Sequence, residues 1–480
     1  MTPNDAPFLD TTLSLGADRD AILQHAAEIV SRTWAEFDAA RDHQPEPSAA
    51  LVAELAAPMP EQPSDAVTAL DLAAEALDSS LTQARPRYLA YIGSSGLEIG
   101  ALGDLLAHSH DPNLALYAGA ASDIETQTIA WLAQFLGYPF NYGFFTSGGT
   151  ISNLTALAAA RERALPGSRK TGLADNRLAL YCSAEAHYSV KRAAEVLGLG
   201  ADFVRAIPID QHRRMIPAEL ARTIAQDRAD GVIPMAVVAT SGTTLTGAVD
   251  PIGEIAQAAP GVWLHVDGAY GLPAAGAPTS APLFAGLEHA DSLSIDAHKW
   301  MFVPKACSAI LVRDPASLAA AFSHNEAYIP HDDGDVNAVD TTIEYSRPLR
   351  ALKLWLAFKV HGAAAIRGAL EKNLAQAQLL YTMADQASDF DVLPHRPQLS
   401  TVPLRHIPSI LTGGSPAEIN EHNAALQQAV IQDGRVYISP AQIDGDTWLR
   451  PCFTNFRTTT EDVVITFDTI REISEKISQR

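Results

Sequence analysis

Positive charge is scarce in this chain. Its 480 residues carry 34 lysines and arginines against 56 aspartates and glutamates, a formal net charge of −22 at pH 7, which disfavours nucleic acid and anionic membrane surfaces as partners. That global figure says little about a local site. Cysteine is scarcer still. Cys182, Cys307 and Cys452 are odd in number and widely spaced, without zinc-like pairing, so reduced thiols in a cytoplasmic protein are the simplest reading. No apolar run reaches the length of a membrane span, and the amino terminus lacks the basic stretch followed by an apolar one that marks a secretory signal. Neither GxGxxG nor a Walker loop with its lysine is found, which argues against a dinucleotide or a nucleoside triphosphate. Aromatic residues make up only 7% of the chain, yet 47% of it is hydrophobic. At this length that suffices for a large core in more than one lobe.

Between about residues 85 and 345, strand-type runs alternate with helical patterns, as a mostly parallel α/β sheet demands. Residues 1–84 read as helical segments, such as Arg19 to Ala39, joined by a proline-rich linker around His43 to Ser48. After Pro348 the pattern changes to a long helix, Leu349 to His361, another through about Ala384, then short strands and a final helix near Glu461 to Ser478. The expected organisation is a helical arm over 1–84, a large α/β domain over 85–345 and a small α+β domain over 346–480. No internal repeat or low-complexity tract stands out beyond alanine-rich helices.

Chemistry gathers where the strand-type runs end. Val262 to Val266 leads into Asp267-Gly268-Ala269-Tyr270, and Asp291 to Ile295 leads into Asp296-Ala297-His298-Lys299-Trp300. Asp267 and Lys299 should therefore emerge at the carboxyl ends of neighbouring buried strands, the edge at which open α/β sheets bind ligands. These are the two groups a pyridoxal phosphate site needs: an amine for the Schiff base and a carboxylate that keeps the pyridine nitrogen protonated. Taken singly, Asp267 reads as well as a turn cap and Lys299 as a solvated strand-end lysine. Upstream, Phe144 to Asn153 runs from a strand into a helix through Ser147-Gly148-Gly149-Thr150. Two glycines let the backbone approach an anion, the free N–H groups of the first turn point at it, and Thr150 and Ser152 add hydroxyls. Alone, this would be a capped tight turn. His187 follows the strand Leu178 to Cys182 and opens an amphipathic helix, where an imidazole can stack on the pyridine ring or cap the helix. Ala239 to Ile252 holds a hydroxyl-rich turn with Gly242, Thr243 and Thr244, which could equally be an ordinary turn before a helix start at Asp250-Pro251. The order of the motifs along the chain is what joins them into one site.

From about Arg85 to Arg457 the chain resembles the group II pyridoxal-phosphate-dependent decarboxylases, the family of the aromatic-L-amino-acid, histidine and glutamate decarboxylases. The resemblance runs through Arg85-Pro86-Arg87-Tyr88, Ile124-Glu125-Thr126, Gly148-Gly149, Ala186-His187, Gly242-Thr243-Thr244, His265-Val266-Asp267, His298-Lys299-Trp300, Ser346-Arg347 and Leu449-Arg450 to Thr459. It implies fold type I of the pyridoxal-phosphate-dependent transferases, with a mostly parallel central sheet, a smaller C-terminal α+β domain and an N-terminal helical arm packing on the partner subunit of a homodimer. By the same resemblance Lys299 binds the cofactor, Asp267 partners the pyridine nitrogen and His187 stacks on the ring. Gly148, Gly149 and Thr150 hold the phosphate with His298, Thr243 supports the ring or the carboxylate that binds it, and Ala269 packs under the ring. No metal is implied. Asp296 departs from the asparagine of some members, and a carboxylate beside a phosphate would repel it unless water, a cation or protonation intervened.

The implied reaction is decarboxylation of an L-amino acid to the amine and carbon dioxide. Aromatic members use a tyrosine on a mobile loop as proton donor, and counting back from Arg347 that position falls near Ala338 or Val339, neither of which can donate a proton. Tyr328 and Tyr345 stand nearby, in a polar segment that includes Asp332-Asp333-Gly334-Asp335. Relatives that replace this tyrosine can act as aldehyde synthases, so oxidative deamination is the alternative. An aminotransferase of the same fold would need a small-domain arginine for the substrate carboxylate, with Arg450 and Arg457 as candidates; the setting of His187 and the His298-Lys299-Trp300 motif favour the decarboxylases. A non-catalytic carrier is a further reading, against which the retention of Lys299, Asp267 and His187 argues. The segment Tyr88 to Ser95 should line the side-chain pocket by analogy, and Tyr88, Tyr91 and Ile92 suit an aromatic guest, though they could equally be core residues.

Overall fold

Runs rich in Val, Ile, Leu and Ala with no polar face suit strands covered on both sides. The computed structural model, which describes residues 13–41, 45–324 and 338–478, uses them in that way. The large sheet comprises β1 (Tyr142–Thr146), β2 (Leu178–Ser183), β3 (Val204–Ile207), β4 (Ile233–Thr240), β5 (Trp263–Asp267), β6 (Ser292–Asp296) and β7 (Ser308–Val312). Their order is β1-β7-β6-β5-β4-β2-β3, and only β7 runs against the rest. Thr146, Ser183, Thr240, Asp267 and Asp296, the last residues of five parallel strands, thus share one edge.

The helices are α1 (Arg19–Phe37), α2 (Ala49–Leu55) and α3 (Ala66–Asp78) in the N-terminal region, then α4 (Glu98–His110), α5 (Ala120–Leu136), α6 (Gly149–Ala164), α7 (Ser168–Thr171), α8 (Tyr188–Val196), α9 (Pro217–Ala229) and α10 (Ile252–Ala258). They continue with α11 (Ala297–Trp300), α12 (Pro315–Phe322), α13 (Ala351–Asp385), α14 (Pro416–Asp433) and α15 (Thr460–Ser478). Alternation along the strands divides the core in two. Val237, Leu264, Val266 and Leu293 pack toward Leu132 of α5 and Ile255 of α10. Ala236, Val238, Trp263 and Ile310 face the other way, toward Leu157 of α6 and Val190 of α8.

A second, antiparallel sheet of β8 (Phe390–Val392), β9 (Leu404–His406), β10 (Ser439–Ile443) and β11 (Asp446–Arg450), in the order β10-β11-β9-β8, packs with α14, α15 and the end of α13. The two helices read between Leu349 and Ala384 are joined end to end as α13, broken at Gly362, whose φ of 74° is left-handed. One stretch of the expected large domain is built into the small one: Leu89 N–H donates to Tyr437 O, Tyr437 N–H to Arg87 O, and Cys452 N–H to Leu89 O. Tyr328 and Asp332 to Asp335 lie outside the described residues, as does part of the linker around His43. Among the described residues no helix is long and apolar enough to cross a membrane.

Candidate active site

The shared edge of the parallel strands opens into a cleft of about 730 Å³ whose lining includes Gly149, His187, Asp267, Ala269, His298 and Lys299. Gly148 and Thr150 line it too, so eight of the nine residues singled out from the sequence meet there. Thr243 is the exception. Its buried hydroxyl stays inside its own turn, accepting the N–H of Ala248 at 3.2 Å and lying 3.0 Å from Thr246 Oγ1, while Gly242 and Thr244 face the cleft. Gly242, at φ 101°, sets this turn, and a Cβ there would stand 2.9 Å from Gly271 Cα.

Each wall follows from local sequence. The ladder of α6 begins with Ser152 N–H donating to Gly148 O, and no side chain caps the helix, so its first N–H groups are left for an anion. Gly149 is required by crowding rather than by backbone angle. A Cβ there would lie 2.9 Å from Ala269 Cβ and 3.1 Å from Asp296 Oδ2. His187 is the N-cap of α8, its Nδ1 accepting the N–H of Ser189 at 3.3 Å, so capping and lining the cleft are one placement. Burial first, against the attraction of Asp267, holds its imidazole below the ordinary value.

Two buried carboxylates are treated differently. Asp267 receives neutral donors, Asn153 Nδ2 at 2.9 Å on Oδ2 and Ala269 N–H at 3.2 Å on Oδ1, while Ser294 Oγ lies 3.2 Å from Oδ1 and closer, at 2.8 Å, to Asn153 Oδ1. Asp296 meets the Lys299 ammonium, with Nζ at 2.9 Å, and the His298 ring, with Nε2 at 3.7 Å, and its Oδ1 has no hydrogen-bond partner among the described residues. Burial opposes charge on Lys299, but Asp296 outweighs it and holds the ammonium above the ordinary lysine value. Burial likewise opposes the Asp296 carboxylate, and Lys299 with His298 reverses the sign, holding it below the ordinary range. Burial lowers His298, against Asp296.

The site is tied to the small domain through Tyr270, whose hydroxyl accepts the N–H of Ser400 at 3.0 Å and the hydroxyl of Thr401 at 3.1 Å. Trp300 stacks on the Tyr270 ring at 5.3 Å. The two arginines weighed for a substrate carboxylate are engaged elsewhere. Arg457 donates to Ser95 O at 2.7 Å and pairs with Glu98 at 3.1 Å. Arg450, almost fully buried, donates to Thr244 O at 2.9 Å and Ser439 Oγ at 2.7 Å. Of the proposed side-chain pocket, Tyr88 is buried in a stack with Tyr437 at 5.2 Å, and Ile92 packs on the main core. Tyr91 is exposed at φ 53°, its N–H donating to Ser439 Oγ at 3.1 Å.

Sequence reading missed Asn153, Ser189 and Ser294, which support Asp267 and His187 from behind. The available signal was a polar residue, Asn153, amid the alanines and leucines of α6. The residues present fit the expected pyridoxal phosphate: a lysine amine and a well-held carboxylate at the ends of adjacent parallel strands, with an uncapped helix N-terminus opening on a cradle that at Gly149 is too tight for a Cβ.

Comparison with known proteins agrees. A family model described as the pyridoxal-dependent decarboxylase conserved domain matches residues 49–406. The aromatic-L-amino-acid decarboxylase of Bacillus atrophaeus is 35% identical over 402 residues, 82% of each chain. The phenylacetaldehyde synthase of Petunia hybrida is 30% identical over 388 residues, 76% of each. Among solved structures, Oryza sativa TDC with PLP and tryptamine superposes with a TM-score of 0.90 at 25% identity, covering 97% of this chain and 100% of that one.

Proposed function

Because this chain belongs to the pyridoxal-dependent decarboxylase family, with pyridoxal phosphate as its cofactor and an amino acid as its substrate, we propose that it converts an aromatic L-amino acid to the amine and carbon dioxide. The observation that carries the reading is the meeting of Lys299 and Asp267, from adjacent parallel strands, in one cleft with the open N-terminus of α6. Similarity to an aromatic-L-amino-acid decarboxylase supports the aromatic substrate.

In this reading the Lys299 amine would hold the cofactor. The N–H groups of Gly149 and Thr150, with His298, hold the phosphate, and the Gly148-Gly149 backbone leaves room for it. Asp267 would keep a proton on the ring nitrogen, with Asn153 and Ala269 fixing the carboxylate in place. Ala269 and His187, which both line the cleft, would pack against the ring. Thr243 acts indirectly, by shaping the turn that puts Gly242 and Thr244 on the cleft. When bound, the cofactor accepts the electron pair released as the Cα–carboxylate bond breaks. We also place the enzyme in the cytoplasm, where its three free, buried cysteines would stay reduced. We assign it a homodimer, for which the exposed Leu102, Leu105 and Leu106 of α4 offer an apolar face.

A second reading is favoured by one observation. Val339 N–H donates to Ala115 O at 3.1 Å and Arg347 N–H to Asn113 Oδ1 at 3.0 Å, so one short segment holds both ends of 339–347, the stretch over which counting back from Arg347 brings the expected tyrosine position near Ala338 or Val339. Without that donor, dioxygen could intercept the decarboxylated substrate, with substrate, dioxygen and water giving aldehyde, carbon dioxide, ammonia and hydrogen peroxide. Incubating the purified protein aerobically with pyridoxal phosphate and each aromatic amino acid separates the two. Amine and carbon dioxide without peroxide are expected; aldehyde with stoichiometric peroxide would overturn the first reading in favour of the second.

A further inference from the structure

Behind the cleft wall runs a series of almost fully buried polar side chains, Trp263, Ser292, His265, Asn153 and Ser189, ending at His187. Their hydrogen bonds can run in one direction only. Asn153 faces Asp267 Oδ2 at 2.9 Å, and an ionised carboxylate accepts but cannot donate, so the amide nitrogen must be the atom that meets it. The amide oxygen is thereby turned to His265 Nε2 at 2.9 Å and Ser294 Oγ at 2.8 Å, and His265 must carry its proton on Nε2. His265 Nδ1 then accepts from Ser292 Oγ at 2.9 Å, and Ser292 accepts the Trp263 indole N–H at 2.8 Å, a group that only donates. In the other direction, the second amide proton of Asn153 goes to Ser189 Oγ at 3.1 Å. That leaves the Ser189 hydroxyl proton for His187 Nδ1 at 2.9 Å, where the Ser189 backbone N–H also converges at 3.3 Å. The reverse direction would set the amide oxygen of Asn153 against the Asp267 carboxylate.

We propose that this one-way series fixes His187 with Nδ1 unprotonated and its Nε2–H presented to the cleft, and that His265 is a positioning residue acting through Asn153 on Asp267 and His187 together. Burial holds His265 down to about 4, so no second proton reverses the direction at neutral pH. His187 Nε2 has no hydrogen-bond partner among the described residues, so the groups that meet it in the cleft must be acceptors, such as a carboxylate oxygen. The tautomer follows from the hydrogen bonds alone; its catalytic consequence rests on the cleft being the pyridoxal site.

The test is long-range ¹H–¹⁵N correlation of the full-length, ¹⁵N-histidine-labelled protein with and without cofactor, His187 being assigned by its loss in His187→Gln. An Nε2-protonated neutral ring is expected; an Nδ1-protonated ring or an imidazolium at neutral pH overturns the proposal. His265→Gln keeps an N–H donor at similar reach and His265→Leu removes it. The glutamine variant should keep the tautomer and hold pyridoxal phosphate within about twofold of wild type. The leucine variant should give mixed tautomers and about tenfold weaker cofactor binding by fluorescence titration. Equal losses in both with an unmoved tautomer would mean that His265 only fills space. Should the leucine variant fail to fold, Ser189→Ala, which removes one hydroxyl, should weaken the Nε2–H preference, and an unchanged ring would overturn the proposal. An Nε2–H ring in a protein that binds no pyridoxal phosphate would uphold the series and refute the cofactor reading instead.

Discussion

Asp296→Asn separates two effects of one carboxylate. Asp296 Oδ2 lies 2.9 Å from Lys299 Nζ, and the lysine side chain is 24% exposed. A pair of unit charges at that separation interacts by about 6 kcal/mol at an effective dielectric of about 20, before desolvation is counted. Desolvation and the water that reaches the amine offset much of this, leaving about 2–3 kcal/mol to hold Lys299 as an ammonium. At about 1.4 kcal/mol per factor of ten, losing it should raise the share of free amine at neutral pH by about thirty- to a hundredfold. Only the free amine can attack the aldehyde of the cofactor, so covalent capture should accelerate by a similar factor, and wild type should show the steeper dependence on pH. Rapid mixing of cofactor-free protein with pyridoxal phosphate, followed by visible absorbance across neutral and mildly alkaline pH, measures this directly. Equal rates with the same pH dependence in wild type and variant would refute the assignment of Asp296 as the group that keeps Lys299 charged.

Gly149→Ala should leave a folded protein, at a cost of about 1–3 kcal/mol for overpacking against Ala269 and Asp296. It should lower cofactor affinity by at least about tenfold in equilibrium dialysis. Arg347→Met should be among the most destabilising changes, because Glu125, which also accepts the Phe145 N–H at 3.0 Å, would lose the buried guanidinium it pairs with. About 3–5 kcal/mol is expected by denaturant unfolding, with partial recovery in the double variant with Glu125→Gln, which keeps an acceptor for that N–H. In cofactor-free protein, Asp296 is held below its ordinary value of 3.8. Its contribution is therefore present above that value and lost as pH falls through the lower folded one, so the Tm gap between wild type and Asp296→Asn should close in acid.

What was legible in the sequence was legible for local reasons. Lys299, Asp267 and His187 each follow a short apolar run, so strand end and chemistry were read together, and the break at Gly362 lay where one helical pattern gave way to the next. What was not legible depends on pairing across the chain. Arg347 meets Glu125, and Asn153 meets His265, only because α5, α6, β5 and the start of α13 pack on one sheet. Leu89 joins the small domain through hydrogen bonds to Tyr437 and Cys452, partners that nothing near residue 89 announces. Thr243 was drawn to the cleft by the motif that contains it, yet in a turn this tight alternate residues face opposite ways.

The two carboxylates of the cleft show how one sheet edge can serve opposite electrostatic tasks. A carboxylate that must keep a cationic partner through a reaction is best held by dipoles, which neither leave nor exchange protons, and Asp267 has such donors in Asn153 and Ala269. Asp296 instead rests on Lys299, a charge that is surrendered whenever the amine is used. When that happens the basic group left beside it is His298, at 3.7 Å, so the protonation of His298 should follow the state of Lys299. The neutral series behind Asp267 is insulated from this exchange, because every link between Trp263 and His187 is already matched donor to acceptor. One carboxylate of the edge is thus held by fixed dipoles and the other by a charge that comes and goes.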